Sequence, residues 1–381
     1  MNALLVPEEL VQTPPYPNAA SPATVQEVEV LAWEELGEQH RVRWQNLRQT
    51  QREQSSPFFS CPFIDAVQAA RGDVLVAVLR DHRQAVGYLP FHRIGSVALP
   101  VGRYFNDAHG VIMHPKTQVD WPWLLRQCEL KAFDFHAWAG ACETLDPGCL
   151  HGTIESFSTQ IGIDSAQPLA SIEREHKTMR KQDQKSRKMA RERGPLSVEI
   201  DCRDVGLVEQ TIQWKRDQYR RTCILDLFTP TWTRDLMHHL HQAPVDGARG
   251  MLSVLRAGEQ VVAAHYGLFE DGQLHYWFPT YDPHYARYSP GTALFKEILR
   301  AGPACGITSI DMGYGAQPYK RKQTNTITTV AHGCITTSPV YHHRRKLSKL
   351  VRQAIKKMPV KNRLKQVFRC LLPHAGISKL H

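Results

Sequence analysis

Several clusters in this sequence hold residue types that do chemistry. The stretch Arg287–Leu299, RYSPGTALFKEIL, opens like a helix after an aromatic run. Ser289 is placed to cap that helix, Pro290 suits its first position, and Gly291 leaves the first turn bare. Bare N–H groups at a helix start can hold a phosphate. Just upstream, WFPTYDPHY ends a strand-like run with Tyr281 and Asp282; Asp-Pro is also an ordinary turn pair. In SIDMGYGAQPYKRK, Asp311 follows a short apolar strand, Gly313 and Gly315 let the backbone approach closely, and Tyr319 and Lys320 follow. Two readings stand for that loop. Asp311 and Lys320 pair to shape it, or Lys320 holds a phosphate or carboxylate outside the strand end. His265, within VVAAHYGLF, is either a packed, hydrogen-bonded side chain or a base. YFNDAHGVIMH gathers Asn106, Asp107 and His109 at another strand end. They form either an Asn-Asp loop or a polar wall for a sugar or amine in a cleft between domains. The histidines in HHLH (238–241) and HHRR (342–345) have no nearby carboxylate or cysteine partner in sequence, so no metal is expected.

These residues need elements to position them, and an internal repeat suggests which. LVAVLRDHRQAVGYL (75–89) and MLSVLRAGEQVVAAH (251–265) both read as strand, polar turn, strand, and they align without a gap at an offset of 176 residues. Further strands, a helix and a short strand follow each. In the first half these are DWPWLLRQCEL and AFDFHAW; in the second, SPGTALFKEILRAG and ITSIDMG. The shared order favours duplication. The expected fold is α/β (α+β): two tandem domains, each a mostly antiparallel twisted sheet flanked by helices. The expected bounds are a loose leader over 1–24, domains over 25–170 and 196–340, a basic connecting helix over 171–195, and a basic tail over 341–381. The repeat also separates the two helix starts. Asp120 and Trp121 would repel and crowd a phosphate, whereas Ser-Pro-Gly-Thr would not.

At 381 residues, 42% apolar and 22% charged, the chain is ordinary for a globular protein. No apolar run is long enough to span a bilayer, and the N-terminus lacks a secretion signal. Nine scattered cysteines without a C-x-x-C pair fit thiols in a reducing cytoplasm. Asp311 is the last acidic residue. The fifteen Lys and Arg beyond it exceed the whole chain's net +10, so residues 1–311 carry −5. Leu347, Leu350, Val351, Ile355 and Met358 share one helix face in the tail, and Leu364, Val367, Phe368 and Leu371 a second. Basic amphipathic helices of this kind lie on anionic membranes or pack on the body. Nucleic acid is a weaker partner, because few aromatics are interleaved with the charge.

YDPHYARYSPGTALFKEIL and GITSIDMGYGAQPYK resemble the C-terminal half of the CelD-like acetyltransferases, a branch of the GNAT superfamily associated with cellulose and exopolysaccharide biosynthesis. SSPFFSCPFIDAV and VGYLPFHR resemble the N-terminal half. The resemblance spans about residues 30–335, and such proteins share tandem GNAT-like domains with the FemAB transferases. It implies acetyl-CoA or another acyl-CoA as co-substrate, bound at Ser289, Gly291, Thr292, Ala293 and Lys320. Gly291 and Ala293 fit the phosphate loop of the superfamily, while Tyr288 takes its first position and Arg287 falls one residue early. That degeneracy leaves room for another phosphorylated donor, such as the aminoacyl-tRNA of FemAB enzymes, or for an idle scaffold held at a membrane. Acyl transfer needs a base, a polarised carbonyl and an acid for the leaving thiolate. Tyr281 is the candidate acid; Asp282, His265 and Asp311 are candidates to orient or deprotonate the acceptor. Lys215 and Gln218 in QWKRDQY are family-like positions. With Tyr319, Asn106, Asp107 and His109, they are expected to face a sugar-nucleotide or polysaccharide precursor.

Overall fold

The computed structural model describes residues 23–140, 145–161, 166–315, 317–345 and 347. Most of the leader and nearly all of the tail, with both of its apolar faces beyond Leu347, lie outside the described residues.

Thirteen strands form one sheet. In chain order they are β1 (Glu27–Ala32), β2 (Val74–Asp81), β3 (Gln84–Ile94), β4 (Val97–Leu99), β5 (Ile112–Met113), β6 (Ala132–Trp138), β7 (Leu150–Gln160), β8 (Leu196–Cys202), β9 (Arg249–Ala257), β10 (Gln260–Glu270), β11 (Gln273–Tyr281), β12 (Ser309–Tyr314) and β13 (Thr326–Thr336). The helices are α1 (Glu38–Arg48), α2 (Cys61–Arg71), α3 (Trp121–Gln127), α4 (Ala166–Glu175), α5 (Lys177–Arg180), α6 (Gln182–Arg193), α7 (Val205–Thr222), α8 (Thr231–Gln242), α9 (Pro290–Ala301) and α10 (Pro318–Arg321).

The two repeated hairpins are β2–β3 and β9–β10, both antiparallel. The sheet runs β1-β2-β3-β4-β6-β13-β7-β12-β11-β10-β9-β8, with β5 paired to β3 off that path. Each half places one parallel pair at the same point, β4 with β6 and β11 with β12. The last strand of each half then crosses over: β13 pairs with β6, and β7 pairs with β12. The halves therefore complete one another's sheets, and neither sequence repeat carries all of its own strands.

Alternation along the strands divides the core between the two faces of the sheet. Val74, Val76 and Val78 of β2 join Leu252 and Val254 of β9 in a cluster with Trp44 of α1, Phe63 of α2, Val208 of α7 and Leu236 of α8. Helices from both halves thus share one core. On the opposite face, α9 packs Leu294, Phe295 and Ile298 over the second half, and α3 packs Leu124 and Leu125 over the first. Arg48 of α1 and Glu270 of β10, both almost wholly buried, pair across the halves.

Candidate functional site

The parallel strands β11 and β12 pair only over Gln273–His275 and Ser309–Asp311. Beyond that point β12 pairs with β7 while β11 continues to Tyr281 beside β10. The backbone edge of β11 facing this gap has lost its strand partner, and exposed N–H and C=O groups of this kind need water or a ligand.

At the point of divergence stands His275, a residue that motif reading passed over. Its Nδ1 lies 3.2 Å from Asp311 Oδ2 and its Nε2 lies 3.2 Å from Asp107 Oδ2. Phe58 of the first half covers the ring edge-on, with centroids 4.7 Å apart. Burial opposes charging the imidazole, but the two carboxylates outweigh it and raise its pKa to about 9. Asp311 is also buried, yet His275, the Gly313 N–H and Lys320 hold its pKa below the usual range. Asp311 Oδ1 accepts from Gly313 N at 2.8 Å. Gly313 has φ +67°, and a Cβ there would sit 2.6 Å from Asp107 Oδ2 and 3.0 Å from His275 Cε1. The glycine is what lets the first half's Asp107 reach the second half's histidine.

Lys320 is buried and donates to the carbonyls of Gly313 (3.2 Å) and Tyr314 (2.7 Å), so it braces the loop. Burial lowers its pKa, against the pull of Asp107 and Asp311. The ion-pair partner of Asp311 is His275, where sequence alone had suggested Lys320. Lys215, on α7, donates to Pro279 O at 3.0 Å across the open edge of β11. Desolvation, and then the like charge of Lys320, lower its pKa to about 8. Tyr319 remains partly exposed, and burial of its phenol, with the nearby charge of Asp107, pushes its pKa up to about 12. Asp107, Lys215, His275, Asp311, Tyr319 and Lys320 thus form one polar cluster assembled from both halves. Gln218 lies on the same helix as Lys215, and its Oε1 is buried without a hydrogen-bond partner.

Other sequence candidates fall around this cluster in different ways. His265 is fully buried, stacked on Tyr276 at 3.8 Å, and desolvation drives its pKa well below the ordinary value. It is a neutral ring under the site, out of reach of a substrate proton. Asn106 folds onto its own loop, donating to Val101 O and accepting from Ala108 N. His109 Nε2 accepts from the His136 and Ala137 N–H groups, which fixes the loop that carries Asp107. Asp282 Oδ1 accepts from His284 N in a tight turn.

At the head of α9, Tyr281 comes close to Gly291: a Cβ there would lie 3.7 Å from the tyrosine ring. Ser289 has φ +55° and makes no side-chain cap, contrary to the helix-start reading. Its left-handed backbone turns Oγ away from the helix, toward Lys185 Nζ at 2.8 Å. Its carbonyl instead accepts from Thr292 N and Ala293 N. Pro290 has no N–H, so Gly291 presents the first donor of the helix. Arg287 is engaged elsewhere, paired with Glu192 of α6 at 2.8 Å. Among the described residues, no group of three His, Cys, Asp or Glu side chains is placed to hold a metal.

Residues 177–321 match the model of the acetyltransferase (GNAT) domain family. The chain therefore carries the domain of an acyltransferase, and β8–β12, α7, α9 and α10 all fall within it. No curated protein matches the chain. Among solved structures, FemX is similar with a TM-score of 0.51 at 11% identity, covering 84% of this chain and 99% of that one. A tandem GNAT protein from the clavulanic acid biosynthesis pathway gives 0.45 at 12% identity, covering 82% and 99%. A conserved protein of unknown function from Bacteroides thetaiotaomicron gives 0.47 at 10%, covering 78% and 97%. At 11% identity, the likeness to FemX is one of fold.

Proposed function

We propose that this protein is an acyl-CoA-dependent N- or O-acyltransferase of the CelD-like branch, acting on a sugar-nucleotide or polysaccharide precursor. The observation that carries the reading is the assembly of Asp107, His275 and Asp311 at the parting of β11 and β12, beside an unpaired strand edge and a helix start. The donor lies along the open edge of β11. Its pyrophosphate rests near Ser289, Gly291, Thr292 and Ala293, with Lys185 adding charge from α6. The acceptor enters from the first half, against Asp107.

In the reaction an acceptor nitrogen or oxygen attacks the thioester carbonyl carbon. A new C–N or C–O bond forms as the C–S bond breaks. Asp107, held by the charged His275, takes the acceptor's proton. Lys215 polarises the carbonyl oxygen. Tyr319 or Tyr281 gives a proton to the departing thiolate. Lys320 keeps the Gly313 loop in place rather than touching phosphate, and Asp311 holds His275 rather than the acceptor. The enzyme works in the cytoplasm, and its basic tail rests on the inner membrane face. Among the described residues, no helix is long and apolar enough to cross a membrane.

The test is thermal. Acetyl-CoA raises the melting temperature of the full chain, and Gly291→Glu abolishes the rise by placing a carboxylate where the pyrophosphate lies. No shift at millimolar acetyl-CoA refutes the reading. A second reading, an aminoacyl donor of the FemAB kind, draws on the engagement of Arg287, just before the donor helix, by Glu192 of α6. RNA copurifying with a tail-deleted chain would favour it.

A further inference from the structure

Asp107 is carried by the loop between β4 and β5, and a buried histidine of the first half holds the start of that loop. Gly102 and Arg103 lie there in succession in the left-handed region, at φ +71° and +49°. A non-glycine residue in that region is disfavoured and persists only where its surroundings hold it. Gly102 is buried, and a Cβ added to it would lie 3.1 Å from the Phe63 ring of α2. A buried backbone N–H needs an acceptor. The Gly102 N–H finds one in His92 Nε2, at 3.0 Å.

That bond fixes the state of the imidazole. His92, on β3, is wholly buried. An Nε2 that accepts from an amide carries no proton, so the ring holds its proton on Nδ1. Nδ1 faces Asp73, 2.9 Å from Oδ1. Burial lowers the pKa of the ring, against the pull of Asp73, and keeps it neutral. Burial would also raise the pKa of Asp73, but hydrogen bonds from His92 and Arg71 outweigh it and hold that carboxyl below the usual range. Arg71 grips both oxygens of Asp73, Nε to Oδ1 at 2.9 Å and Nη2 to Oδ2 at 2.7 Å. The same guanidinium lies over Trp232 of α8, 4.7 Å from the ring centroid. Arg103 adds a further positive charge near Arg71 and Asp73.

The series Arg71, Asp73, His92, Gly102 ends five residues before Asp107. Between Gly102 and Asp107, Phe105 packs on Phe228 and Trp277 of the second half, with centroids 5.5 Å from each. His136 closes the far end of the loop, its Nε2 donating to Asn106 O at 2.9 Å. Asp107 Oδ2 then meets His275 Nε2.

We propose that His92 is a positioning residue for Asp107: its bare Nε2 holds the Gly102 turn that sets the Asp107 carboxylate against His275. Loss of that acceptor leaves a buried N–H unsatisfied and a left-handed turn unsupported, so the loop relaxes and the carboxylate leaves the histidine. The consequence for turnover rests on the acyltransferase reading. The placement of Asp107 does not.

Histidine-selective NMR on the full chain tests it. At neutral pH the His92 ring, identified by its loss in His92→Gln, should show the neutral tautomer protonated on Nδ1. The His275 ring, identified by its loss in His275→Gln, should titrate near pH 9 in the unaltered chain. In Asp107→Asn that midpoint should fall by about one unit or more, the effect expected of a lost neighbouring carboxylate. His92→Leu, which removes the acceptor, should reproduce most of the fall. His92→Gln, whose amide oxygen can accept from Gly102, should keep the midpoint near that of the unaltered chain. A His92 ring protonated on Nε2, an unchanged His275 midpoint in folded His92→Leu, or an equal fall in both His92 variants overturns the proposal. Should His92→Leu not fold, the tautomer of the unaltered chain and the midpoint in His92→Gln still decide. In the transfer assay, kcat should fall about tenfold or more in His92→Leu, with KM for acetyl-CoA changed by less than about twofold. Absence of the acetyl-CoA thermal shift in the unaltered chain would sink the donor reading and leave the NMR result standing.

Discussion

His275 gives the most demanding prediction. The ring is buried between Asp107 and Asp311, and its pKa is raised to about 9 from the 6.5 of an exposed histidine. A raised folded-state pKa means that protonation stabilises the fold. The contribution is complete below pH 6.5 and is lost as pH rises through 9. In full it amounts to about 3 kcal/mol, at 1.36 kcal/mol per pKa unit. Half of it, about 1.5 kcal/mol, should go between pH 6.5 and 8. That window matters because Lys215 works the other way. Its pKa is lowered to about 8, so the folded state penalises its charge, and stability is recovered as pH rises from 8 toward 10.5. Histidine-selective NMR reads the proton directly: one imidazole, identified by its loss in His275→Gln, should titrate near pH 9. Urea unfolding at pH 6.5 and 8 then gives the energy, and His275→Gln should lack the extra pH slope of the unaltered chain. An imidazole that titrates at or below 6.5, or equal slopes in the two proteins, would refute the argument that both carboxylates act on one charged ring.

Gly313→Ala forces a side chain into a left-handed position and against Asp107. It should cost about 1–2 kcal/mol of stability from the backbone alone and reduce transfer activity more than substrate binding, read as kcat against KM. Glu270→Gln leaves the buried Arg48 charge without its partner and should destabilise by about 3–5 kcal/mol in urea unfolding; a cost below 1 kcal/mol would mean that the cross-half pair is solvated. Lys215→Arg keeps a cation that does not titrate. If the charge polarises the carbonyl, the fall in kcat/KM of the unaltered enzyme above pH 8 should vanish in this variant. Deleting residues 346–381 should abolish cosedimentation with anionic liposomes, and persistence of binding would exclude the tail as the docking element.

Much of the fold was legible because it rests on local pattern. The hairpins of β2–β3 and β9–β10 have alternating apolar residues about a polar turn, and the helix stops at Gly194 and the Asp120 cap behave as backbone chemistry requires. The loop Asp311–Lys320 and the Asn106–Asp107 turn were also visible, since glycine pairs and clustered polar residues stand out at strand ends. His275 was not. It lies inside an aromatic strand, QLHYWFPTY, with no spacing motif, and only the parting of β11 from β12 gives it a function. The Ser289 cap was misread for a related reason. Its type is right for a cap, but the backbone adopts a left-handed turn in which the hydroxyl meets Lys185 instead.

The sequence by itself determined the repeated hairpin, the mixed α/β class, the acidic body with its basic tail, and the identity of the polar residues near the candidate site. Each of these depends on neighbours along the chain or on simple composition. Tertiary structure alone decided that β7 and β13 exchange between halves, that Asp107 crosses from one half to meet His275, and that Arg345 returns to Asp134. The last two contacts join residues 168 and 211 positions apart. Strand pairing and burial of charge, rather than local propensity, fix which of the many distant partners each residue meets.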